Sequence, residues 1–477
     1  MASGAFLLSL ANALRLGLQM LMLPVLARIL GPEAYGIMGL AMPFILFVNL
    51  FADAGLGGAL VRETSPSKEL VSTVFWTTML LSVVLAVLLG AAAWPLAAAL
   101  GRPEVAPVVA SLTSLLILGG LNAVPTAQVV REERFSVLAR ADILSPLAGS
   151  ACAIAAAFAG WGVWSLVVQQ VVLWGVRLGL LWTAVKFKAG WTFKPRILGR
   201  LSVFGANSVG AGFMELASRN LDNVVVGAIL GVTSLGHYSM AYQLVRMPEM
   251  LVVGPMYTAL FPRTAQLADK PDEVSRVFLD SLRGMALICA PALAGLAVVS
   301  GPFTAVVLGE KWAPAAPVLM WLSPAGFVLC VMGLMTALLL GLGFSAIRLR
   351  LSTIFAATTL VGIVIGAQFS VVGVAIGLSA GSLVTLGFAL DALTRHCRLK
   401  LGDMLRELQP IAIATLVMVV GVETIEFGIE GLSDKVTLAL SILVGVIGYV
   451  GALTLFDRAR LKRDVAVLTA VLQRRTA

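Results

Sequence analysis

The chain has 477 residues, of which 59% are hydrophobic and 12% are charged, and its formal net charge is +9. A soluble domain averages about 45–50% apolar and about 25% charged residues, so a water-soluble fold of this composition would expose large apolar surfaces and aggregate. The composition therefore excludes an ordinary soluble enzyme or binding module and predicts an integral membrane protein. Because the apolar stretches lack the two-residue alternation of barrel strands, we expect transmembrane α-helices.

Fourteen apolar segments follow one another along the chain, separated by glycines, prolines and clusters of charge. Each is long enough, at about 20 residues, to cross roughly 30 Å of hydrocarbon as a helix. We therefore predict an all-α integral membrane fold of about 14 transmembrane helices. The predicted spans are residues 5–30, 34–60, 70–99, 105–130, 141–160, 163–185, 203–230, 234–260, 277–300, 314–341, 350–369, 371–394, 407–427 and 436–456.

The distribution of lysine and arginine predicts the orientation. With a cytoplasmic N-terminus, the inward loops and the tail carry 25 of these residues, whereas the outward loops carry three, Arg102, Lys311 and Lys435. Cytoplasmic loops are enriched in Lys and Arg, so we predict an N-in/C-in topology in the bacterial inner membrane. The positive charge then marks the cytoplasmic face, and nucleic acid is not an expected partner. The outward loops are too short for a catalytic domain, so no enzyme is expected.

The second half of the sequence resembles the first at an offset of 200 residues. Ile29-Leu30-Gly31, Tyr35-Gly36 and Ala41 recur as Ile229-Leu230-Gly231, Leu235-Gly236 and Ala241. A duplication predicts two six-helix lobes of like topology, which suit alternating access to a site between them, although a chance match is the alternative. We predict an N-lobe at 1–190, a C-lobe at 191–400, helices thirteen and fourteen at 401–457, and a basic amphipathic tail at 458–477. That tail either lies along the anionic inner surface or is solvated without a function.

Two stretches resemble the polysaccharide transporter family, which includes the O-antigen and exopolysaccharide flippases of the multidrug/oligosaccharidyl-lipid/polysaccharide exporter superfamily. The first is the run from Ala27 to Gly36 followed by Phe51-Ala52-Asp53-Ala54-Gly55-Leu56. The second comprises Leu221-Asp222-Asn223, Gly227, Leu230-Gly231, Leu235-Gly236, Tyr238, Ala241 and Tyr242. The resemblance implies a flippase for a polyprenyl-diphosphate-linked oligosaccharide. It also implies that helices thirteen and fourteen are additions to a twelve-helix core that shape a groove for the lipid tail.

Polar side chains recur at helical spacing within three predicted spans. Because residues at i, i+4 and i+7 fall on one face of a helix, each set forms a stripe. Charged groups within a bilayer normally face a bundle interior or an aqueous cavity, so we predict one polar cavity shared by the stripes. The stripes are Asn12, Arg15 and Gln19; Glu215, Arg219 and Asp222; and Tyr238, Tyr242, Arg246 and Glu249.

The chemistry of these side chains suggests their roles. Guanidinium groups bind phosphate bidentately and stay protonated, so Arg15, Arg219 and Arg246 are the candidates for the diphosphate. Aromatic rings with hydroxyls suit sugars, which makes Tyr238 and Tyr242 the sugar candidates, although interfacial tyrosine is common in any membrane protein. Candidates for coupling or gating are the acidic residues Glu215, Asp222, Glu249 and Asp53, the last with Asn49.

Each of these residues also has a structural interpretation, in which the charges neutralise one another and brace their helices. Arg177 and Arg283 are expected to be structural and to reach the cytoplasmic edge. Gly373, Gly377 and Gly381 are expected to form a close helix-packing face. The two histidines and four cysteines show no metal-ligand spacing, so no metal or cofactor is expected.

The sequence therefore predicts a flippase that moves a polyprenyl-diphosphate-linked oligosaccharide from the cytoplasmic to the periplasmic leaflet for exopolysaccharide or lipopolysaccharide synthesis. Its expected partners are that lipid and the bilayer, with polysaccharide polymerase machinery as a further candidate. One alternative is a drug or cation antiporter of the same superfamily, which would need acidic cavity walls. A membrane glycosyltransferase or polymerase is the more distant alternative. The sequence leaves open the glycan, the coupling ion and the oligomeric state.

Overall fold

The structure is a computed structural model that describes residues 2–53, 55–63, 66–185, 190–194, 209, 213, 216, 220–397, 399–428 and 433–458. For residues 2–14, 16, 53, 59, 62 and 428 the description extends to the backbone alone. Helices make up the regular structure of these ranges, and the ranges contain no strand. The predicted all-α class is thus confirmed for the described part of the chain.

The first ten helices are α1 (Ala2–Leu30), α2 (Pro32–Asp53), α3 (Leu56–Arg62), α4 (Lys68–Ala99), α5 (Val105–Leu112), α6 (Ser114–Arg131), α7 (Phe135–Phe158), α8 (Trp164–Val185), α9 (Asn220–Leu230) and α10 (Val232–Val245). They are followed by α11 (Gly254–Gln266), α12 (Pro271–Val298), α13 (Ser300–Phe303), α14 (Ala315–Gly341), α15 (Ser345–Gly366), α16 (Val371–His396), α17 (Leu401–Gly428) and α18 (Asp434–Phe456). Short π-helical segments cover Glu249–Val253 and Thr304–Leu308, and a 3₁₀ turn covers Glu310–Trp312.

Eleven helical segments within the described ranges are long and apolar enough to cross a membrane. They correspond to eleven of the predicted spans, and the chain is a multi-pass membrane protein. The predicted spans 5–30, 203–230 and 234–260 are not among the eleven. The first coincides with α1, the second lies mostly outside the described residues, and the third is interrupted. The total of fourteen and the N-in/C-in orientation stay predictions.

The third of these spans is interrupted after α10. Helix α10 ends at Val245, Arg246 forms a turn, and two helical residues, Met247 and Pro248, lead into the π-helical segment Glu249–Val253 before α11. The backbone N–H groups of Arg246 and Met250 still donate to the carbonyls four residues earlier. Pro248 and Pro255 flank that segment, and proline removes a backbone donor from a helix interior. A π-helical turn is a local irregularity that is frequent at functional sites. Residues 232–266 are thus helical apart from the turn at Arg246, and the predicted span 234–260 contains a π-helical segment. Its crossing of the membrane stays a prediction.

The hairpins α1–α2 and α9–α10 turn on glycines in the same left-handed conformation. Gly31 has φ 78° and Gly231 has φ 89°, and each donates its N–H to the carbonyl four residues earlier. This is the usual glycine ending of a helix, because glycine adopts positive φ without steric cost. The two copies of the proposed repeat therefore end their first helix in the same way.

The chain forms two compact units, Met1–Ser239 and Met240–Ala477. In the first unit, α7 packs on α8 and α1, and α4 packs on α6. An apolar core in this unit joins α3, α4 and α6 and comprises Leu56, Leu60, Leu70, Val74, Phe75, Val124 and Ala127. The predicted lobe boundaries at residues 190 and 400 stay predictions.

The second unit contains the α15–α16 hairpin, in which two helices approach through glycine. A Cβ on Gly377 would overlap with the carbonyl oxygen of Gly362, and one on Gly373 would lie 2.5 Å from the carbonyl oxygen of Gly366. The Thr358 hydroxyl donates to the carbonyl oxygen of Gly381 at 3.0 Å. The predicted packing face of Gly373, Gly377 and Gly381 is confirmed.

Candidate functional site

A polar cavity of about 670 Å³ lies within the first compact unit. Its walls come from α1, α2, α3, α6, α7 and α8. The volume falls within the range of about 300–1,000 Å³ that is usual for ligand pockets. The polar and aromatic side chains of the wall are Arg15, Asn49, Asn122, Thr126, Asp142, Trp174 and Arg177.

Two glycines on α6 allow close approach of the neighbouring helices α2 and α4. A Cβ on Gly119 would lie 2.7 Å from the Oδ1 atom of Asn49 on α2, and a Cβ on Gly120 would overlap with the Ser82 hydroxyl on α4. Any larger residue at these positions would displace a polar neighbour. Gly119 therefore allows α6 to approach Asn49 in the cavity wall, and Gly120 allows α6 to approach α4.

Arg15 on α1 provides a cation for this cavity. Its side chain is half-buried, and its Nε atom has no hydrogen-bond partner among the described residues. The described residues also place no carboxylate within ion-pair distance of it. A guanidinium group in such a setting favours an anionic ligand, because a charge withdrawn from water is stabilised by a counter-charge.

Arg177 on α8 is the second cation of the cavity wall, and it is paired. Its Nη1 atom forms an ion pair with the Oδ1 atom of Asp142 on α7, and both side chains are largely buried. Arg177, which was expected to be structural and to reach the cytoplasmic edge, lines the cavity together with Asp142. The described wall thus holds two guanidinium groups and one carboxylate, a net positive charge.

Asn122 on α6 is almost fully buried, with 3% of its surface exposed. Its Nδ2 atom donates to the carbonyl oxygen of Leu118 at 2.9 Å and to that of Trp174 at 3.5 Å. Its Oδ1 atom has no hydrogen-bond partner among the described residues. Asn122, Asp142 and Trp174 were not predicted from the sequence, although Asp142 and Arg177 are charges on adjacent predicted spans.

Asp222 and Tyr238, two other predicted site residues, contact each other in the α9–α10 hairpin. The Tyr238 hydroxyl donates to the Oδ2 atom of Asp222 at 2.8 Å, and the backbone N–H of Asn223 donates to Oδ1 at 2.9 Å. Both side chains are buried, Tyr238 completely. The hydroxyl proposed for sugar binding is therefore engaged within the protein, and its predicted role stays a prediction.

Tyr242, Arg246 and Glu249 form a second group, located in the second compact unit. The Nε atom of Arg246 lies 3.2 Å from the Oε2 atom of Glu249, and its guanidinium carbon lies 5.6 Å from the centroid of the Tyr242 ring. The group coincides with the interruption between α10 and the π-helical segment. The structure therefore brings these three predicted residues together at an irregular point of the helix.

Three predicted site residues cannot be placed. Glu215 and Arg219 lie outside the described residues, and so does the side chain of Asp53. Their roles stay predictions.

A sequence profile for the family described as "polysaccharide biosynthesis protein" matches residues 25–317. The chain belongs to this family. It is similar to the succinoglycan biosynthesis transport protein ExoT of Rhizobium meliloti (strain 1021), with 28% identity over 450 residues that cover 94% of this chain and 91% of that protein. It is also similar to the lipopolysaccharide biosynthesis protein WzxC of Escherichia coli (strain K12), with 25% identity over 81% of this chain and 77% of that protein.

The fold of this family member is similar to that of the lipid II flippase MurJ in an inward closed conformation. The TM-score is 0.75 at 14% sequence identity, and the match covers 97% of this chain and all of that chain. The family match over residues 25–317 and the two relatives confirm the predicted membership of the polysaccharide transporter family. The chain is a multi-pass protein of the bacterial inner membrane.

The second compact unit of this family member contains an apolar groove of about 650 Å³ between α12, α14 and α17. Its wall is built from alanine, leucine and aromatic side chains, and Glu423 is its one charged residue among those described. Such a wall favours an apolar occupant, because apolar surface is stabilised by apolar surroundings. Helix α17 corresponds to the predicted thirteenth helix, which was expected to shape a groove.

Arg283 joins three parts of the second unit. It is 1% exposed, its Nη2 atom lies 2.7 Å from the Oδ2 atom of Asp457, and its Nη1 atom lies 3.8 Å from the Oε2 atom of Glu407. The prediction that Arg283 reaches the aqueous edge was wrong, because these two carboxylates satisfy its charge inside the protein. Its predicted structural role agrees with this position between α12, α17 and the end of α18.

Proposed function

We propose that this protein is a flippase that moves a polyprenyl-diphosphate-linked oligosaccharide from the cytoplasmic to the periplasmic leaflet. The product would serve the synthesis of an exopolysaccharide or a lipopolysaccharide. The observation that carries the proposal is the 670 Å³ cavity with Arg15 and Arg177 in its wall. In this role the protein binds and moves its substrate and has no enzymatic activity.

The diphosphate explains the positive charge of the cavity. Its oxygens must leave water during translocation, and guanidinium groups replace that hydration with charge-assisted hydrogen bonds. Arg15 has no carboxylate partner among the described residues and is therefore the main candidate in this cavity for binding the diphosphate. Arg219 and Arg246 stay additional candidates for the same headgroup.

The lipid tail explains the apolar groove of the second unit. A polyprenyl chain is entirely hydrocarbon, and the groove between α12, α14 and α17 offers it an almost entirely apolar wall. During translocation the tail stays in apolar surroundings while the headgroup crosses. An amphipathic substrate requires polar surroundings for its headgroup and apolar surroundings for its tail.

Alternating access supplies the movement in this proposal. Two lobes of like topology would rock so that the cavity opens first to the cytoplasm and then to the periplasm. Substrate binding shifts such an equilibrium only by the difference in its affinity for the two states. Directional transport therefore needs an ion gradient or removal of the product by polysaccharide polymerase machinery.

A drug or cation antiporter of the same superfamily is the alternative. A cationic substrate would require an excess of carboxylates, whereas the described wall carries two arginines and one aspartate. Asp142 is already paired with Arg177. The charge of the described wall thus favours an anionic substrate.

The function is tested by deleting the gene and locating the lipid-linked oligosaccharide. We expect it to accumulate in the cytoplasmic leaflet, where a membrane-impermeant glycan-oxidising reagent applied to intact spheroplasts does not reach it. Complementation by the wild-type chain should restore access from outside, and complementation by an Arg15→Gln variant should restore far less. An unchanged leaflet distribution in the deletion strain contradicts the proposal.

A further inference from the structure

Asn122 lies in the cavity wall and has one side-chain atom that forms no hydrogen bond within the described part of the chain. Its amide group faces two carbonyl oxygens, those of Leu118 and Trp174. Only the NH₂ end of an amide can donate to carbonyls, so the orientation of the side chain is set by its surroundings. The Oδ1 atom is therefore the acceptor, and no described residue donates to it.

A buried acceptor without a donor is costly, by about 1–3 kcal/mol, so such atoms in proteins are usually satisfied by a ligand or a water. The diphosphate cannot satisfy this atom, because its ionised oxygens accept hydrogen bonds and do not donate them. A sugar hydroxyl or an acetamido N–H does donate. The chemistry of Asn122 therefore matches the glycan part of a lipid-linked sugar.

The location of Asn122 agrees with the covalent structure of such a ligand. The first sugar is bonded directly to the diphosphate, so its subsite must share a cavity with the cations that bind the diphosphate. Asn122 lines the same cavity as Arg15 and Arg177. The half-buried side chain of Trp174 lines it as well, and an indole ring offers an apolar face for the C–H groups of a sugar.

We propose that Asn122 and Trp174 form the subsite for the sugar attached to the diphosphate, with the Asn122 amide oxygen accepting a hydrogen bond from that sugar. This inference rests on the proposed flippase function and locates the glycan within the same cavity. The tyrosine proposed from the sequence fits this role less well, because the Tyr238 hydroxyl already donates to Asp222.

Binding measurements with the full-length protein in lipid nanodiscs test the subsite. The probes are undecaprenyl diphosphate and the same lipid carrying one glucose, galactose or N-acetylglucosamine. The wild type should bind at least one sugar-bearing probe about tenfold more tightly than the sugar-free lipid, since one good hydrogen bond contributes about 1–1.5 kcal/mol. An Asn122→Leu variant should lower this ratio to near one, and Trp174→Leu should lower it several-fold.

The controls separate the subsite from the wider function. Gln368→Leu removes an amide that also donates to the carbonyl four residues earlier, but it lies in the exposed turn after α15 and should keep the wild-type ratio. Arg15→Gln should weaken all probes alike. The proposed subsite is refuted if a folded Asn122→Leu protein keeps the wild-type ratio of affinities for sugar-bearing and sugar-free lipid. It is also refuted if the wild type binds every probe equally. If Asn122→Leu does not fold, the same ratio of affinities measured for Trp174→Leu tests the proposed subsite. A wild type that binds no diphosphate lipid instead refutes the proposed function.

Discussion

Gly36 and Gly236, which are 200 residues apart, occupy equivalent positions in a reciprocal contact between α2 and α10. A Cβ on Gly36 would overlap with the carbonyl oxygen of Val232, and a Cβ on Gly236 would overlap with the carbonyl oxygen of Pro32. Each glycine thus contacts the residue that lies four positions before the other glycine in the sequence. This relationship is what a two-fold arrangement of the two hairpins would produce, and the contact depends on glycine at both positions.

Alanine at either glycine should weaken this helix contact. The added methyl group must push two backbones apart, and overpacking of this kind typically costs about 1–3 kcal/mol. We expect Gly36→Ala and Gly236→Ala each to lower the thermal transition of the purified protein, measured by the loss of monodisperse protein on gel filtration after heating. Gly17→Ala is the matched control, because a Cβ there would meet nothing within 4 Å. Equal stability of all three variants would show that α2 and α10 separate without cost.

Removal of Arg283 should destabilise the second unit strongly. The residue is buried between Asp457 and Glu407, and loss of one partner leaves uncompensated buried charge, which costs about 3–5 kcal/mol. We expect Arg283→Gln to reduce the yield of folded protein and its thermal transition markedly. Arg395→Gln is the control, since that side chain is 71% exposed and pairs with Asp391 at the surface. A surface pair of this kind contributes about 0–1 kcal/mol to stability. If Arg395→Gln lowered the thermal transition as much as Arg283→Gln does, the structural role assigned to the buried Arg283 would be contradicted.

Long apolar runs predicted most helices well, because length and hydropathy are properties of the sequence itself. The predicted spans 70–99 and 371–394 correspond to α4 (Lys68–Ala99) and α16 (Val371–His396). The break after Val245 escaped prediction, because hydropathy does not register a change from α-helical to π-helical hydrogen bonding. Pro248 and Pro255, which flank the π-helical segment, are the signal in the sequence that hydropathy does not weigh.

The candidate site was predictable only in part. Arg15 was identified from its stripe, because one helix face can be inferred from spacing alone. The Arg177–Asp142 pair joins residues 35 positions apart on different helices. Whether two such side chains meet depends on how each helix is rotated about its axis, and a single sequence does not contain that information. The same reason explains why Asn122 and Trp174 were missed.

Arg15 should be essential for transport but not for folding. Loss of one charge-assisted hydrogen bond costs about 1.5–3 kcal/mol, so Arg15→Gln should weaken undecaprenyl diphosphate binding about 10- to 100-fold. Arg15→Lys should recover only part of the affinity, because an ammonium group lacks the fork that binds phosphate bidentately. The measurement is probe binding in nanodiscs beside gel filtration of the same samples. Wild-type affinity of a folded Arg15→Gln protein would remove Arg15 from the binding site.

The predicted orientation can be tested with single cysteines in a variant whose four native cysteines are replaced by alanine. Glu104 lies in the exposed turn between α4 and α5, which the distribution of basic residues assigns to the periplasm. Lys270 lies in the exposed turn between α11 and α12, which the same distribution assigns to the cytoplasm. A membrane-impermeant maleimide should label Glu104→Cys in intact spheroplasts, and it should label Lys270→Cys only after lysis. The reverse labelling pattern would show that the topology is inverted. The predicted span boundaries require an odd number of membrane crossings between the two turns, so labelling of both cysteines from one side would contradict those boundaries.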